Sequence, residues 1–132
     1  MNENEKIVTE FLKMMSERKS EDNFEKFYHQ DAEQIEYPNL VTKNVAKRSL
    51  EDLKIGSERG RKIMSKEVYE IKKLYSFENI VILEAVWKGT ISIPIGKLQI
   101  GEEMVAYFAQ FFEIKDGKIF RQRNYDCFEP LD

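Results

Sequence analysis

The clearest structural signal in the chain is Phe111-Phe112-Glu113-Ile114-Lys115-Asp116-Gly117-Lys118-Ile119. Apolar and polar residues alternate on both sides of Asp116-Gly117, and Asp-Gly between two alternating runs is a strong signal for a β-hairpin. The same period of two continues in both directions from this hairpin. The sequence therefore predicts four antiparallel strands in the second half of the chain, over residues 67–75, 80–90, 102–114 and 118–128.

The first half of the chain has the period of an α-helix instead. Apolar residues from Ile7 to Met15 recur at three and four positions, which predicts a helix over residues 5–18. Ser20 is a candidate N-cap for a short second helix that buries Phe24 and Phe27. Ser49 and Asp52 resemble a capping box and predict a third helix that ends near residue 64. A brief strand at Ile35-Glu36-Tyr37, stopped by Pro38, lies between the second and third helices.

These elements together predict one α+β domain over residues 1–132, with a curved antiparallel sheet packed against three N-terminal helices.

The third helix carries Gly56 and Gly60 on one face. Each interior glycine costs about 1 kcal/mol relative to alanine, so the pair needs a reason. Tight packing of the helix on the sheet is the expected reason. Space left for another group is the alternative.

The composition excludes several classes of protein. The 21 basic and 24 acidic residues give a net charge of −3, so we expect no nucleic-acid partner. No apolar run approaches the roughly 20 residues of a membrane span, and no secretory signal is visible, so a cytoplasmic protein is expected. Cys127 is the single cysteine and cannot form an internal disulfide. His29 and Asp31 have no further ligand cluster nearby, so no metal is expected. No Gly-rich phosphate loop and no dinucleotide fingerprint occurs, so no cofactor is expected either.

Four segments carry a resemblance to a known superfamily, in addition to the order of the elements. They are Tyr28-His29-Gln30-Asp31-Ala32 leading into Ile35-Glu36-Tyr37-Pro38-Asn39, Trp87-Lys88-Gly89-Thr90, the hairpin 111–119, and Arg121-Gln122-Arg123-Asn124-Tyr125-Asp126-Cys127-Phe128-Glu129-Pro130. The chain resembles the nuclear transport factor 2-like superfamily, in its SnoaL-like and ketosteroid-isomerase-like branch. The resemblance implies a sheet curled into a cone, an internal apolar pocket and a homodimer. The fold hosts many chemistries, so it does not fix a reaction.

The resemblance also implies which side chains face the pocket. Those expected to point inward are Phe120, Gln122, Asn124 and Asp126 on the last strand, Phe108, Gln110 and Phe112 on the strand before it, Leu83, Ala85 and Trp87 on the one before that, and Ile35, Tyr37 and Phe11 near the mouth. Those expected to point outward include Arg121 and Arg123.

Two catalytic sets of the superfamily are not retained. In the ketosteroid isomerase pattern, the base falls on Tyr37, the tyrosine donor on Phe11 and the acid donor on Gln110, so all three differ. In the epoxide hydrolase pattern, Asn124 stands where a carboxylate is needed, and residues 83–87 contain no arginine.

A different set of inward residues could still support acid–base chemistry. Burial of Asp126 among aromatic rings would raise its pKa toward the range of a general base. Tyr37 could donate to a developing oxyanion, and Asn124 or Gln110 could orient a carbonyl or a water, with Gln122 as a further ligand-binding residue of the polar pocket floor. The side chains of Trp87, Phe108, Phe112 and Phe11 would bind the apolar part of a ligand. The alternative is that Asp126 only stabilises the end of the sheet, with Asn124 and Gln122 bonded to each other.

Three hypotheses follow. The first is a cofactor-independent isomerase, cyclase or hydrolase acting on a small hydrophobic carbonyl, epoxide or polyketide-like molecule. The second is a non-catalytic binder of such a molecule. The third is a dimeric assembly module, suggested by an apolar outward set on the sheet: Val105, Tyr107, Phe111 and Tyr125.

Overall fold

The computed structural model describes residues 1–17 and 23–132, so the expected N-cap at Ser20 lies outside the described residues. Two α-helices, one short 3-10 helix and six strands make up this part of the chain. Their bounds are α1 Glu3–Glu17, the 3-10 helix Phe24–Lys26, β1 Tyr28–Glu36, β2 Ala46–Ser49, α2 Leu50–Ile63, β3 Met64–Phe77, β4 Ile80–Ile91, β5 Glu103–Lys115 and β6 Lys118–Phe128.

All six strands form one curved sheet in the order β2-β1-β6-β5-β4-β3. Neighbouring strands are antiparallel except β1 and β6, which run parallel. The expectation of a wholly antiparallel sheet is therefore wrong at this pair. The structure also has a longer strand where the sequence predicts a brief one at residues 35–37. This strand, β1, begins at Tyr28; β6 pairs with it on one side, and β2 pairs with it on the other side from Glu33.

The helical part differs from the expectation of three helices. The segment expected to be the second helix forms a single 3-10 turn, closed by the Asn23 side chain accepting from Lys26 N. A longer helix cannot form here because Tyr28 already belongs to β1. The capping box at the start of α2 is confirmed: Ser49 Oγ accepts from Asp52 N at 3.2 Å, and Asp52 Oδ2 accepts from Ser49 N at 3.0 Å.

The β5–β6 hairpin has the turn that the sequence predicts. Asp116 and Gly117 have φ angles of +53° and +73°, which suits a tight two-residue turn. A register shift between Glu113 and Ile114 then places Ile119 in the core with no exposed surface. The expected inward position of Phe120 is wrong, because its ring lies instead beneath Arg121, whose guanidinium carbon is 3.8 Å from the ring centroid.

The core lies between α1 and the concave face of the sheet. Its fully buried members include Val8 from α1, Val81 and Leu83 from β4, and Phe112 from β5. A second cluster surrounds Trp87 near the other end of the sheet. The space between these two clusters is open and forms the cavity described below.

The glycines of α2 border open space rather than a packed sheet. A Cβ atom built at Gly56 or Gly60 would meet no atom within 4 Å, and both residues line a cleft under the helix. The expected tight packing of helix on sheet is therefore wrong at these positions, and the alternative of free space is supported. Among the described residues, no helix is both long and apolar enough to cross a membrane.

Candidate functional site

A cavity of about 630 Å³ opens between α1, α2 and the concave face of the sheet. Seven of the nine residues predicted for the site line it: Phe11, Trp87, Phe108, Gln110, Gln122, Asn124 and Asp126. They come together because β4, β5 and β6 are adjacent, and every second residue of each strand points to the same face. The structure does not bring the other two, Tyr37 and Phe112, to the cavity wall.

Tyr37 lies on the outer face of the sheet. Its ring stacks on Tyr125, with centroids 4.7 Å apart and planes at 15°. In the parallel β1–β6 register, Glu36 is beside the inward Asn124, so Ile35 pairs with the outward Arg123. The expected inward orientation of Ile35 and Tyr37 is therefore wrong, and Gln34 and Glu36 point to the cavity instead.

Phe112 lies deeper than expected. It has no exposed surface and belongs to the core cluster that packs against α1. It therefore stabilises the base of the site and does not contact the cavity.

Asp126 faces the cavity from β6, beside its register partner Phe108 of β5. Gln110 Nε2 donates to its two oxygens at 3.2 and 3.4 Å. Burial raises its pKa to about 7; the Gln110 hydrogen bond opposes this rise, and the negative charge of Glu36 adds to it. A carboxyl group with this pKa exchanges protons near neutral pH.

Two further carboxyl groups line the cavity, and the sequence analysis missed both. Glu36 accepts from Arg48 Nη1 at 2.6 Å, from Asn39 Nδ2 at 2.8 Å and from Thr42 Oγ1 at 2.9 Å. Glu67 accepts from Trp87 Nε1 at 3.1 Å. Alternation on β3 could have indicated Glu67, but Glu36 depends on the β1–β6 register, for which the sequence holds no local signal.

Aromatic rings form one wall of the cavity. Trp87 stacks on Phe108 with centroids 5.8 Å apart, and Phe128 meets Trp87 edge to face at 5.9 Å. Tyr69 lies 6.2 Å from Phe108. This wall offers flat apolar surface close to Asp126, a combination suited to ring-bearing molecules that carry one polar group.

Side-chain amides line the same concave face next to these rings, along β5 and β6. Gln122 Nε2 donates to Asn124 Oδ1 at 2.8 Å, and the buried Tyr28 hydroxyl donates to Gln122 Oε1. The predicted mutual hydrogen bond of Gln122 and Asn124 is present. Within residues 1–17 and 23–132, no group of three or more His, Cys, Asp or Glu side chains is arranged to hold a metal ion.

No protein-family model and no curated protein matches the sequence. Solved structures do match over nearly the whole chain. IdmH from Streptomyces antibioticus, a proposed polyketide cyclase, superposes with a TM-score of 0.78 at 12% identity, covering 95% of this chain and 92% of IdmH. A SnoaL-like polyketide cyclase from Agrobacterium tumefaciens matches with a TM-score of 0.70 at 12% identity, covering 96% and 92%.

A third neighbour carries a different activity in its name. It is an epoxide hydrolase of the LEH-like type from M. tuberculosis, with a TM-score of 0.69 at 17% identity over 96% of this chain and 83% of that one. At such identities a match establishes the fold and not the reaction. The chain therefore has the fold shared by SnoaL-like polyketide cyclases and ketosteroid isomerase-like proteins.

Proposed function

We propose that the cavity binds a small, ring-bearing carbonyl compound and that Asp126 moves a proton on it without a cofactor. The observation that carries this proposal is Asp126 itself, a carboxyl group within an aromatic-lined cavity whose pKa is raised to about 7. A general base works best when its pKa is close to the working pH. Asp126 meets that condition because burial disfavours its charged form.

The groups around Asp126 support proton transfer next to a carbonyl. Asn124 lies two residues along the same strand and faces the same cavity, about 6.6 Å away by strand rise. That spacing leaves room for an acidic C–H beside Asp126 and a carbonyl oxygen beside Asn124. An amide donor at the oxygen would stabilise the charge that develops when the proton leaves. Trp87 and Phe108 would hold the ring.

The names of the structural neighbours agree with this class of chemistry. They include polyketide cyclases and an epoxide hydrolase, and the proposed reaction also needs only side-chain acids, bases and donors. The proposal assigns Asp126 as the base, in place of the two superfamily patterns whose residues this chain lacks.

The test is exchange of hydrogen for deuterium at the carbon next to a ketone, followed by NMR in deuterated buffer. We expect the protein to accelerate exchange in aryl ketones such as 2-acetylnaphthalene, with Asp126→Asn losing roughly a hundredfold or more of that rate. Asp31→Asn, which changes an exposed aspartate on β1, is the matched control and should keep the full rate. Equal rates for wild type and Asp126→Asn would exclude Asp126 as the base.

A second candidate function is binding or assembly without turnover. Tyr107 and Tyr125 expose 49% and 43% of their surface on the outer face of the sheet, beside Val105 and Phe111. Exposed aromatic surface of this kind favours a covered interface, and we propose a homodimer formed through it. A pure binder would retain its ligand in native mass spectrometry and tolerate Asp126→Asn. An enzyme would release its product and lose exchange activity in that variant.

A further inference from the structure

A chain of hydrogen bonds runs behind the cavity wall from Tyr28 to Asn124. The Tyr28 hydroxyl donates to Gln122 Oε1, and Gln122 Nε2 donates to Asn124 Oδ1 at 2.8 Å. Tyr28 and Gln122 expose only 1% and 3% of their surface, so the chain is buried. It joins β1 to β6, which are neighbouring strands of the sheet.

The chain has a fixed direction. The Tyr28 hydroxyl donates its one proton to Gln122 Oε1, so the Gln122 amide nitrogen is left to donate to Asn124 Oδ1. None of these side chains can reverse without breaking a buried hydrogen bond. Burial of Tyr28 also raises its pKa, so its hydroxyl keeps the proton that it donates.

The last group in the chain is the Asn124 amide nitrogen. Asn124 exposes only 7% of its surface, and its Oδ1 is occupied by Gln122. Its Nδ2 has no hydrogen-bond partner within the described part of the chain, yet every fully shielded side-chain nitrogen or oxygen there has one. Nδ2 therefore reaches open space, and the open space beside Asn124 is the cavity.

We propose that Tyr28 and Gln122 form a one-way relay that fixes the Asn124 Nδ2–H as a donor to a carbonyl oxygen or oxyanion of the ligand. This inference rests on the proposed function, since it assumes that the cavity binds a ligand. Asn124 contacts the ligand, and Tyr28 and Gln122 are positioning residues that act through it. The relay selects ligands that present an acceptor at this point and rejects a group that can only donate, such as an ammonium.

Two physical effects make this donor stronger than an isolated asparagine. Hydrogen bonds in a buried chain polarise one another in the direction of donation. The amide is also held in its donating orientation before the ligand arrives, so no reorganisation is needed on binding.

The test compares two probes of similar shape, 2-acetylnaphthalene and 2-isopropylnaphthalene, of which only the ketone has an acceptor. Trp87 is the single tryptophan and lines the cavity, so its fluorescence reports binding of both probes. We expect wild type to bind the ketone roughly threefold to tenfold more tightly than the hydrocarbon. The infrared carbonyl band of the bound ketone should lie at lower frequency than in an apolar solvent.

The decisive variant is Tyr28→Phe, which removes only the hydroxyl that donates to Gln122. We expect it to reduce the ketone preference to about twofold or below and to shift the carbonyl band back toward the value in apolar solvent. Tyr75→Phe is the matched control, because it removes an exposed tyrosine hydroxyl outside the cavity and outside the relay and should change neither readout. General damage to the pocket would weaken both probes together and leave their ratio unchanged.

If Tyr28→Phe does not fold, Gln122→Met gives the same test from the middle of the chain. Methionine removes the amide that donates to Asn124 Oδ1 and should lower the ketone preference. An unchanged preference and carbonyl band in Tyr28→Phe or Gln122→Met would overturn the relay. Equal binding of both probes by wild type would overturn the relay but leave ligand binding intact. If neither probe binds, the proposed function is wrong and the relay is overturned with it.

Discussion

Asp126 is the residue to which we assign proton transfer, and the burial that raises its pKa also lowers the stability of the folded protein. This loss of stability can be measured. The pKa of Asp126 is about 7 in the folded protein and about 3.9 in an unfolded chain, so the folded state holds the proton more tightly. Stability therefore falls as pH rises from about 4 to 7, and the full cost is present above pH 7. We expect Asp126→Asn to be more stable than wild type by roughly 2–4 kcal/mol at pH 8 and by almost nothing below pH 4.

Urea denaturation at pH 4, 6 and 8 measures this difference, with Asp31→Asn as the exposed control. If the difference in the free energy of unfolding between wild type and Asp126→Asn were the same at all three pH values, that result would contradict the raised pKa.

The inward position of Asp126 could be predicted from the sequence, because alternation on β6 continues without a break from Gln122 to Asp126. Tyr37 could not, because its orientation depends on how β1 aligns with β6, about ninety residues later in the chain, and that alignment is a tertiary property.

At the scale of elements, α2 is a helix that does not pack as its sequence suggests. No residue of α2 is fully buried, and Gly56 and Gly60 face open space. A methyl group at either position would contact no other atom. The full difference in helix propensity between alanine and glycine should therefore appear in the free energy of unfolding. We expect Gly56→Ala and Gly60→Ala each to raise the free energy of unfolding by roughly 0.5–1 kcal/mol.

Gly89 provides the contrasting case for the same measurement. A Cβ atom at this position of β4 would lie 2.6 Å from atoms of the Trp87 ring and 2.5 Å from Met64 Sδ. We therefore expect Gly89→Ala to lower the free energy of unfolding by roughly 1–3 kcal/mol. If Gly60→Ala were destabilising as well, α2 would have to pack more closely in solution than the structure describes.

The sequence predicts elements well where periodicity is continuous and poorly where pairing decides the outcome. The strands β4, β5 and β6 have long alternating runs, and their predicted ends lie within one residue of the observed ones. In contrast, β1 begins with Tyr28-His29-Gln30-Asp31, whose polar residues give no strand signal. Hydrogen bonds to β6 and β2 form it, and these cannot be read from the local sequence.

At the scale of the whole molecule, the two faces of the sheet have different roles. The concave face holds the core and the cavity, and the outer face carries the exposed rings of Tyr107 and Tyr125. Arg123 lies over Phe111 on this outer face, with its guanidinium carbon 5.5 Å from the ring centroid, and donates to Glu113 at 2.5 Å. Exposed aromatic side chains with paired charged side chains beside them resemble the apolar centre and polar rim of a protein–protein interface.

We therefore expect the wild-type protein to sediment as a dimer, at twice the 15.7 kDa mass of the chain. Tyr107→Lys places a charge at the centre of the outer face, where burial in a dimer would leave it unpaired, and should shift the protein to the monomer. Ile100→Lys is the control, because Ile100 is 66% exposed in the connection before β5 and away from this face. The cavity opens on the opposite face, so Tyr107→Lys should bind 2-acetylnaphthalene as wild type does. A wild-type monomer at every concentration tested would exclude the dimer, and loss of ketone binding in the Tyr107→Lys monomer would show that the cavity depends on the second subunit.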